Sequence, residues 1–300
     1  MRNKLFYYLC WLTAVTGSLQ AQAQNKVVAP MKDVNQVIDN TLDSLNKART
    51  ARPIAGSSRK GDNPVLFLVG NSTMRTGTLG NGNNGQWGWG YFAGEYFDSN
   101  RINFGALRVL NDDKVAPGEG FQTHPHKNME IVSIPLKGHL QHGDSKKNSR
   151  IITVGEIQTM SAGTGIFHSE VNASPVEPVE FLQIWIMPRE RNTRPVYQDF
   201  NISELEHPNE LAVIVSPDGS TPASLLQDTW FSIGKVEAGK KLGYHMHQSH
   251  AGVYIFLIEG EIAVEGEVLK RRDGMGIYET NSFELETLKD SHILLIEVPM

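Results

Sequence analysis

The stretch Val179-Glu180-Phe181-Leu182-Gln183-Ile184-Trp185-Ile186-Met187 decides the fold class. In an extended chain, successive side chains point to opposite faces. Phe181, Gln183, Trp185 and Met187 then share one face and Leu182, Ile184 and Ile186 the other, so neither face is suited to water. A strand buried on both faces belongs inside a sandwich or barrel. Working outward, short strands separated by turns are expected before it at 105–110, 129–136, 139–142 and 157–160. A second strand-rich block covers 211–298, with strands expected at 252–259, 261–264 and 293–298. Turn signals at this spacing predict an all-β sandwich or barrel over residues 104–300, in two lobes.

Composition supports a globular chain and removes several function classes. Of 300 residues, 40% are hydrophobic and 20% charged, enough apolar material for a sizeable core. The net charge of −5 disfavours a nucleic-acid binder that relies on overall basicity. No apolar run reaches the roughly 18 to 20 residues of a membrane-spanning helix. The single cysteine, Cys10, leaves no intrachain disulfide and no thiolate-rich metal site. Ten histidines remain available for chemistry.

Upstream, the chain opens like an export signal. Arg2 and Lys4 precede an apolar run over 5–15, and Ala21-Gln22-Ala23 forms a small-x-small cleavage site. The expectation is a signal peptide over 1–23 and a secreted or periplasmic protein. Val34, Val37, Ile38, Leu42 and Leu45 recur at helical spacing, which predicts an amphipathic helix over 31–48. A breaker-rich linker completes the segment 24–64. Val65 to Val69 reads as a buried strand, and 71–94 is rich in Gly and Asn and shows no clear period. Gly80, Gly82 and Gly85 satisfy G-x-G-x-x-G, but no strand runs directly into them and no helix starts there, so the motif reads as a loop.

The chemistry concentrates in two short patterns. Phe121-Gln122-Thr123-His124-Pro125-His126 puts two imidazoles on one face of an extended chain, and His168-Ser169-Glu170 repeats the i, i+2 arrangement. On neighbouring barrel strands, His124, His126, His168 and Glu170 can address one divalent cation. Three imidazoles and a carboxylate suit Fe(II), Mn, Ni, Cu or Zn, with geometry choosing among them. A second H-x-H, His245 and His247, lacks a following H-x-E and reads as solvated, as does His250. His139, His142, His207 and His292 have no partner at useful spacing and read as structural or exposed.

Two resemblances follow from longer motifs. Leu66-Phe67-Leu68-Val69-Gly70-Asn71-Ser72-Thr73 with Gly85-Gln86-Trp87-Gly88-Trp89-Gly90 resembles the start of SGNH-type rhamnogalacturonan acetylesterases. That resemblance would make Ser72 a nucleophile, but Asn71 stands where the family has Asp, and no late D-x-x-H supplies a base. A serine without a general base is a poor nucleophile, so residues 65–97 are expected to be an inactive, fused remnant. The second resemblance is carried by Phe104-Gly105-Ala106-Leu107-Arg108-Val109-Leu110-Asn111-Asp112-Asp113, His124-Pro125-His126-Lys127-Asn128-Met129-Glu130, Met160-Ser161-Ala162-Gly163-Thr164-Gly165, His168-Ser169-Glu170 and Leu182-Gln183-Ile184-Trp185-Ile186. From about residue 96 to 300 the chain resembles the pirin family of bicupins, and its members that act as quercetin 2,3-dioxygenases.

This resemblance implies two stacked cupin-type β-barrels, 98–200 and 201–300, with a metal in the first only. The helix and an irregular, truncated α/β hydrolase-like segment would precede them. It implies His124, His126, His168 and Glu170 as ligands of a divalent transition metal, Fe(2+) above all, with Glu170 doubling as the base. The implied substrates are a polyphenol such as quercetin and dioxygen, with no nucleic acid. A monomer is expected. The alternative within the family is a non-enzymatic, iron-binding module with a protein partner. The first barrel's missing early strands leave an edge open to view, and an open edge is a liability.

Overall fold

The computed structural model describes residues 103–300 and, before them, three strands at 65–69, 76–79 and 83–90. The expected helix over 31–48, the cleavage site and Ser72 lie outside the described residues. Within them every regular element is a strand. β1 (Val65–Val69), β2 (Thr76–Leu79) and β3 (Asn83–Gly90) come first. β4 (Leu107–Val115), β5 (Gly120–His126), β6 (Glu130–Lys137), β7 (His139–Asp144), β8 (Ser149–Thr153) and β9 (Glu156–Ser161) follow. Then come β10 (Ile166–Asn172), β11 (Val179–Ile186), β12 (Val196–Asn201), β13 (Ala212–Val215), β14 (Trp230–Val236) and β15 (Lys241–His245). β16 (Ala251–Glu259), β17 (Glu261–Val264), β18 (Glu267–Lys270), β19 (Gly274–Tyr278), β20 (Ser282–Thr287) and β21 (Ser291–Pro299) complete the chain.

These strands make four sheets, two per lobe. The first lobe has a seven-stranded sheet in the order β12-β9-β6-β11-β4-β3-β2 and a four-stranded sheet β5-β10-β7-β8. The second has a six-stranded sheet β1-β19-β16-β21-β14-β13 and a four-stranded sheet β15-β20-β17-β18. The order of the chain and the membership of the sheets diverge at the start. β1 pairs antiparallel with β19 in the second lobe, whereas the β2–β3 hairpin pairs with β4 in the first. The segment expected to be a separate esterase remnant therefore supplies strands to both lobes. β3 also covers the edge of β4 that the sequence left open.

The large sheets explain the doubly apolar strand. Leu182, Ile184 and Ile186 of β11 join Leu110, Val132 and Ile134 in one buried cluster with Phe231, Ile233, Tyr254, Phe256, Leu294 and Ile296 from the second lobe. β11 is thus sandwiched between the inter-lobe core and the interior of its own barrel. Phe104 closes this core, its ring 5.8 Å from Tyr254 and 6.1 Å from Tyr278 between centroids. Gly252 and Gly276 make room for it, since a Cβ at either would collide with the Phe104 ring.

The two barrel interiors differ in kind. Val253, Ile255, Leu257, Met275, Ile277, Ile293 and Leu295 pack the second with Tyr244 and Phe283, and the buried Glu297 accepts from the Tyr244 hydroxyl. The first has an apolar floor of Val115, Leu140, Ile152, Val179 and Phe181. Above it, Ser133, Gln158, Glu170 and Gln183 are all buried, and the first two and Gln183 each donate a hydrogen bond to Glu170. A buried polar group needs partners, and these four supply one another's.

Candidate metal centre

Two strands of the smaller sheet carry the histidines. β5 lies at the edge of that sheet, which tolerates Pro125 and its missing N–H between His124 and His126. β10 is its neighbour, with His168 opposite His124 and Ile166 opposite His126. Between the pairs His168–His124 and Glu170–Phe121 the register slips, β5 spending three residues where β10 spends two. Such a bulge re-aims local backbone. Here the Gln122 carbonyl accepts a 2.7 Å hydrogen bond from Nδ1 of His124. That bond puts the proton on Nδ1 and the lone pair of His124 on Nε2.

The three rings converge. Centroids of His124, His126 and His168 lie 4.5 to 4.8 Å apart, and one nitrogen from each falls within 4.8 Å of the other two. They are the cluster of this kind among the described residues. His126 and His168 are buried and His124 partly so. Desolvation, reinforced by the neighbouring imidazoles, holds the pKa of His126 and His168 well below the usual value. Burial likewise lowers His124 to about 4, against the raising effect of the Gln122 carbonyl. All three are neutral near pH 7, the form that binds a metal. Both nitrogens of His168 are buried without a hydrogen-bond partner, which is costly for an imidazole unless something else takes a lone pair. The donor set therefore fits a divalent first-row ion.

Glu170 is fully buried on the same strand, two residues from His168. Its carboxylate is engaged differently from the imidazoles. One oxygen accepts from Ser133 Oγ at 2.6 Å and Gln158 Nε2 at 3.4 Å, the other from Gln183 Nε2. Gln183 is itself oriented by Trp185, whose indole N–H donates to its Oε1 at 3.1 Å. The Trp185 ring meets His126 edge-on at 4.8 Å. Burial raises Glu170 to about 7, with the three hydrogen bonds pulling the other way. Of the four expected ligands, then, the structure gathers three histidines at one point and holds the carboxylate in an adjoining cage.

Sequence spacing missed several members of this site. His142, expected to be structural or exposed, is buried opposite Glu170 on β7. Its ring lies 5.4 Å from that of His168, stacks on Tyr197 at 4.4 Å, and its Nε2 is 3.2 Å from Asp144 Oδ2. Cross-strand placement, invisible to spacing along one strand, brings it there. Ser133 and Gln183 did leave a trace: each is a polar residue interrupting an inward apolar row. Gln158, between Glu156 and Met160 on its face, did not. In the second lobe, His245 and His250 are exposed, whereas His247 Nδ1 lies 2.8 Å from the buried Glu297 carboxylate and its ring stacks on Trp230.

Comparison with known proteins agrees with this geometry. The family model described as Pirin matches residues 75–186, and that described as Quercetinase C-terminal cupin domain matches 213–298. Most of the glycine-rich stretch first read as an esterase start thus falls inside the Pirin match. A protein of Escherichia coli (strain K12) named quercetin 2,3-dioxygenase is 34% identical over 204 residues, 68% of this chain and 87% of its own length. A pirin-like protein of Caulobacter vibrioides is 32% identical over 67% of this chain and 87% of its own. Among solved structures, the bacterial pirin YhhW of Escherichia coli in complex with nickel(II) superposes with a TM-score of 0.72 at 30% identity, covering 78% of this chain and 99% of that one. Matched by family models along both lobes and by relatives over nearly their full length, the chain belongs to the Pirin family.

Proposed function

We propose that this protein is a metal-dependent dioxygenase that cleaves flavonols such as quercetin, with its ion, Fe(2+), in the first barrel. His124, His126 and His168 would hold the ion and Glu170 would complete the set. The observation that carries this reading is the triad of neutral imidazoles, two of them buried and His168 without any hydrogen-bond partner, beside a carboxylate whose pKa is raised to about 7. When bound, the ion supplies coordination of the substrate oxygens and redox chemistry toward dioxygen.

The chain's own residues supply proton handling and orientation. A carboxylate poised near neutrality can take a hydroxyl proton from the substrate and later release it. Ser133, Gln158 and Gln183 hold that carboxylate, and the Trp185–Gln183 bond fixes which end of the Gln183 amide faces it. The Trp185 ring walls the site beside His126 and gives a flat apolar surface suited to an aromatic substrate.

Anaerobic titration of iron-loaded protein with quercetin, followed by oxygen, tests the reading. Spectral change on binding and ring cleavage on oxygenation support it. Binding without turnover supports the iron-binding module with a protein partner instead. On the same reading, residues 98–200 and 201–300 carry the two barrels, each extended by strands from 65–90, and residues 1–23 direct export. The mass of the mature N terminus, cut after Ala23, checks the last point.

A further inference from the structure

The smaller sheet of the first lobe sets His142 and Asp144 beside the metal centre. On β7 they lie directly opposite Glu170 and His168 of β10, and residues opposite one another on paired strands share a face. The side chains of His142 and Asp144 are fully buried. Asp144 is firmly held: Oδ1 accepts from the Lys146 and Asn148 N–H groups at 2.8 and 3.0 Å, and Oδ2 from Asn148 Nδ2 at 2.7 Å and His142 Nε2 at 3.2 Å. Burial works against its ionised form, but these hydrogen bonds outweigh burial and keep the Asp144 pKa below its usual value. A carboxylate can only accept, so the bond to His142 puts a proton on Nε2. Desolvation lowers the His142 pKa, against the raising effect of Asp144, and the neutral ring keeps its lone pair on Nδ1. Among the described residues that Nδ1 is buried without a hydrogen-bond partner.

His168 presents the complementary group. A histidine that binds a metal through one nitrogen donates its other N–H to an acceptor, which fixes the tautomer and strengthens the ligand. Among the described residues neither nitrogen of His168 has a partner, so an ion accounts for one and the other still needs an acceptor. The adjacent rings of His124 and His126 belong to ligands, and Nδ1 of His124 is already bonded to Gln122. His142 is the remaining ring beside it, 5.4 Å away between centroids and tilted by 52°. Imidazole nitrogens lie about 1.1 Å from the ring centre, so two that face each other along this line stand about 3.2 Å apart, within hydrogen-bond range. Coordination through one nitrogen of His168 sets the ring orientation that brings the other to His142. On its far side, Tyr197 stacks on His142 at 4.4 Å and steadies the plane of that ring.

We propose that His142 and Asp144 are positioning residues of the metal centre: Asp144 holds the proton of His142 on Nε2, and His142 Nδ1 accepts the N–H of metal-bound His168. The result is a carboxylate–imidazole–imidazole relay that ends on the ion. It orients His168, fixes which of its nitrogens binds, and makes that nitrogen a stronger donor. The proposal rests on the reading of the triad as a metal centre and not on the dioxygenase activity.

The probe is zinc, a diamagnetic divalent ion, bound to the full chain carrying isotope-labelled histidine nitrogens and followed by nitrogen NMR. The zinc-loaded protein should show a scalar coupling across the hydrogen bond between Nδ1 of His142 and a ring nitrogen of His168, with the His142 proton on Nε2. His142→Phe keeps a ring against Tyr197 but removes the acceptor, and should weaken zinc binding roughly 10–100-fold in chelator competition, the range for an outer partner. Asp144→Asn offers Nε2 an amide N–H, drives the His142 proton to Nδ1, and should weaken binding to the same degree. The coupling is read in the parent protein, so it decides the matter even where a variant fails to fold. Zinc held by the triad without that coupling, or with affinity unchanged in His142→Phe, overturns the proposal and leaves the metal centre standing. Failure of zinc to bind, or binding that His126→Ala leaves unchanged, overturns both.

Discussion

Glu170→Gln should make the metal-free protein more stable, and only at high enough pH. The folded-state pKa of Glu170 is raised to about 7 from 4.5, chiefly by burial. Below the unfolded value both states are protonated and the group costs nothing. As pH rises past 4.5 the unfolded chain ionises while the folded one resists, so stability falls until the folded pKa is passed. Linkage over this window makes the carboxylate's cost roughly 2 to 3 kcal/mol larger at pH 8 than at pH 5. Glutamine cannot ionise, so the variant lacks that cost. It also disturbs the hydrogen bonds from Ser133, Gln158 and Gln183, but that offset does not change with pH. Urea unfolding of both chelator-treated proteins at pH 5, 6.5 and 8 gives the difference directly, and the histidine titrations cancel in it. A variant-minus-parent difference that is flat across pH would refute the desolvated-carboxylate argument.

Other substitutions test the site and the scaffold. His126→Ala removes one of three nitrogen ligands, and metal analysis should show affinity weakened more than ~100-fold, beyond the roughly 10–100-fold loss of an outer partner; Glu170→Gln should retain part of the metal. Arg272→Met strands Asp112, a buried partner in the other lobe at 3.1 Å, and should cost about 3–5 kcal/mol in denaturant unfolding. Adding Asp112→Asn should recover most of that loss. Gly276→Ala puts a methyl into the Phe104 ring and should cost about 1–3 kcal/mol, read as a lower midpoint that Phe104→Leu partly restores.

Much of the site was legible because strands write their geometry in period two. His124 with His126, and His168 with Glu170, show their shared faces in the sequence alone, and β11 shows its two buried faces. What was hidden is what crosses between strands. His142 enters the site through its pairing with Glu170, and nothing along 139–144 says so. The cage that holds Glu170 draws on β6, β9 and β11, so the carboxylate's actual partners depend on sheet order. The β2–β3 hairpin was hidden for another reason. Its glycines and asparagines carry no side-chain period, and backbone hydrogen bonding to β4 defines it. Val65 to Val69 was readable as a strand, yet the neighbouring Gly70-Asn71-Ser72 drew it toward an esterase, while its partner β19 lies near the other end of the chain.

That last pairing has a consequence for how the protein is made. Val65 leaves the ribosome early, but its partner Tyr278 is translated some two hundred residues later. At about 5–20 residues per second, β1 waits on the order of ten to forty seconds for β19 to exist. During that interval the hairpin that follows it can already dock on β4, so the first barrel can assemble while the second lobe's edge strand hangs unmatched. The second lobe is then sealed from outside by a strand made long before it. The nascent chain must therefore keep a short apolar strand from pairing elsewhere until nearly all of its length has been synthesised.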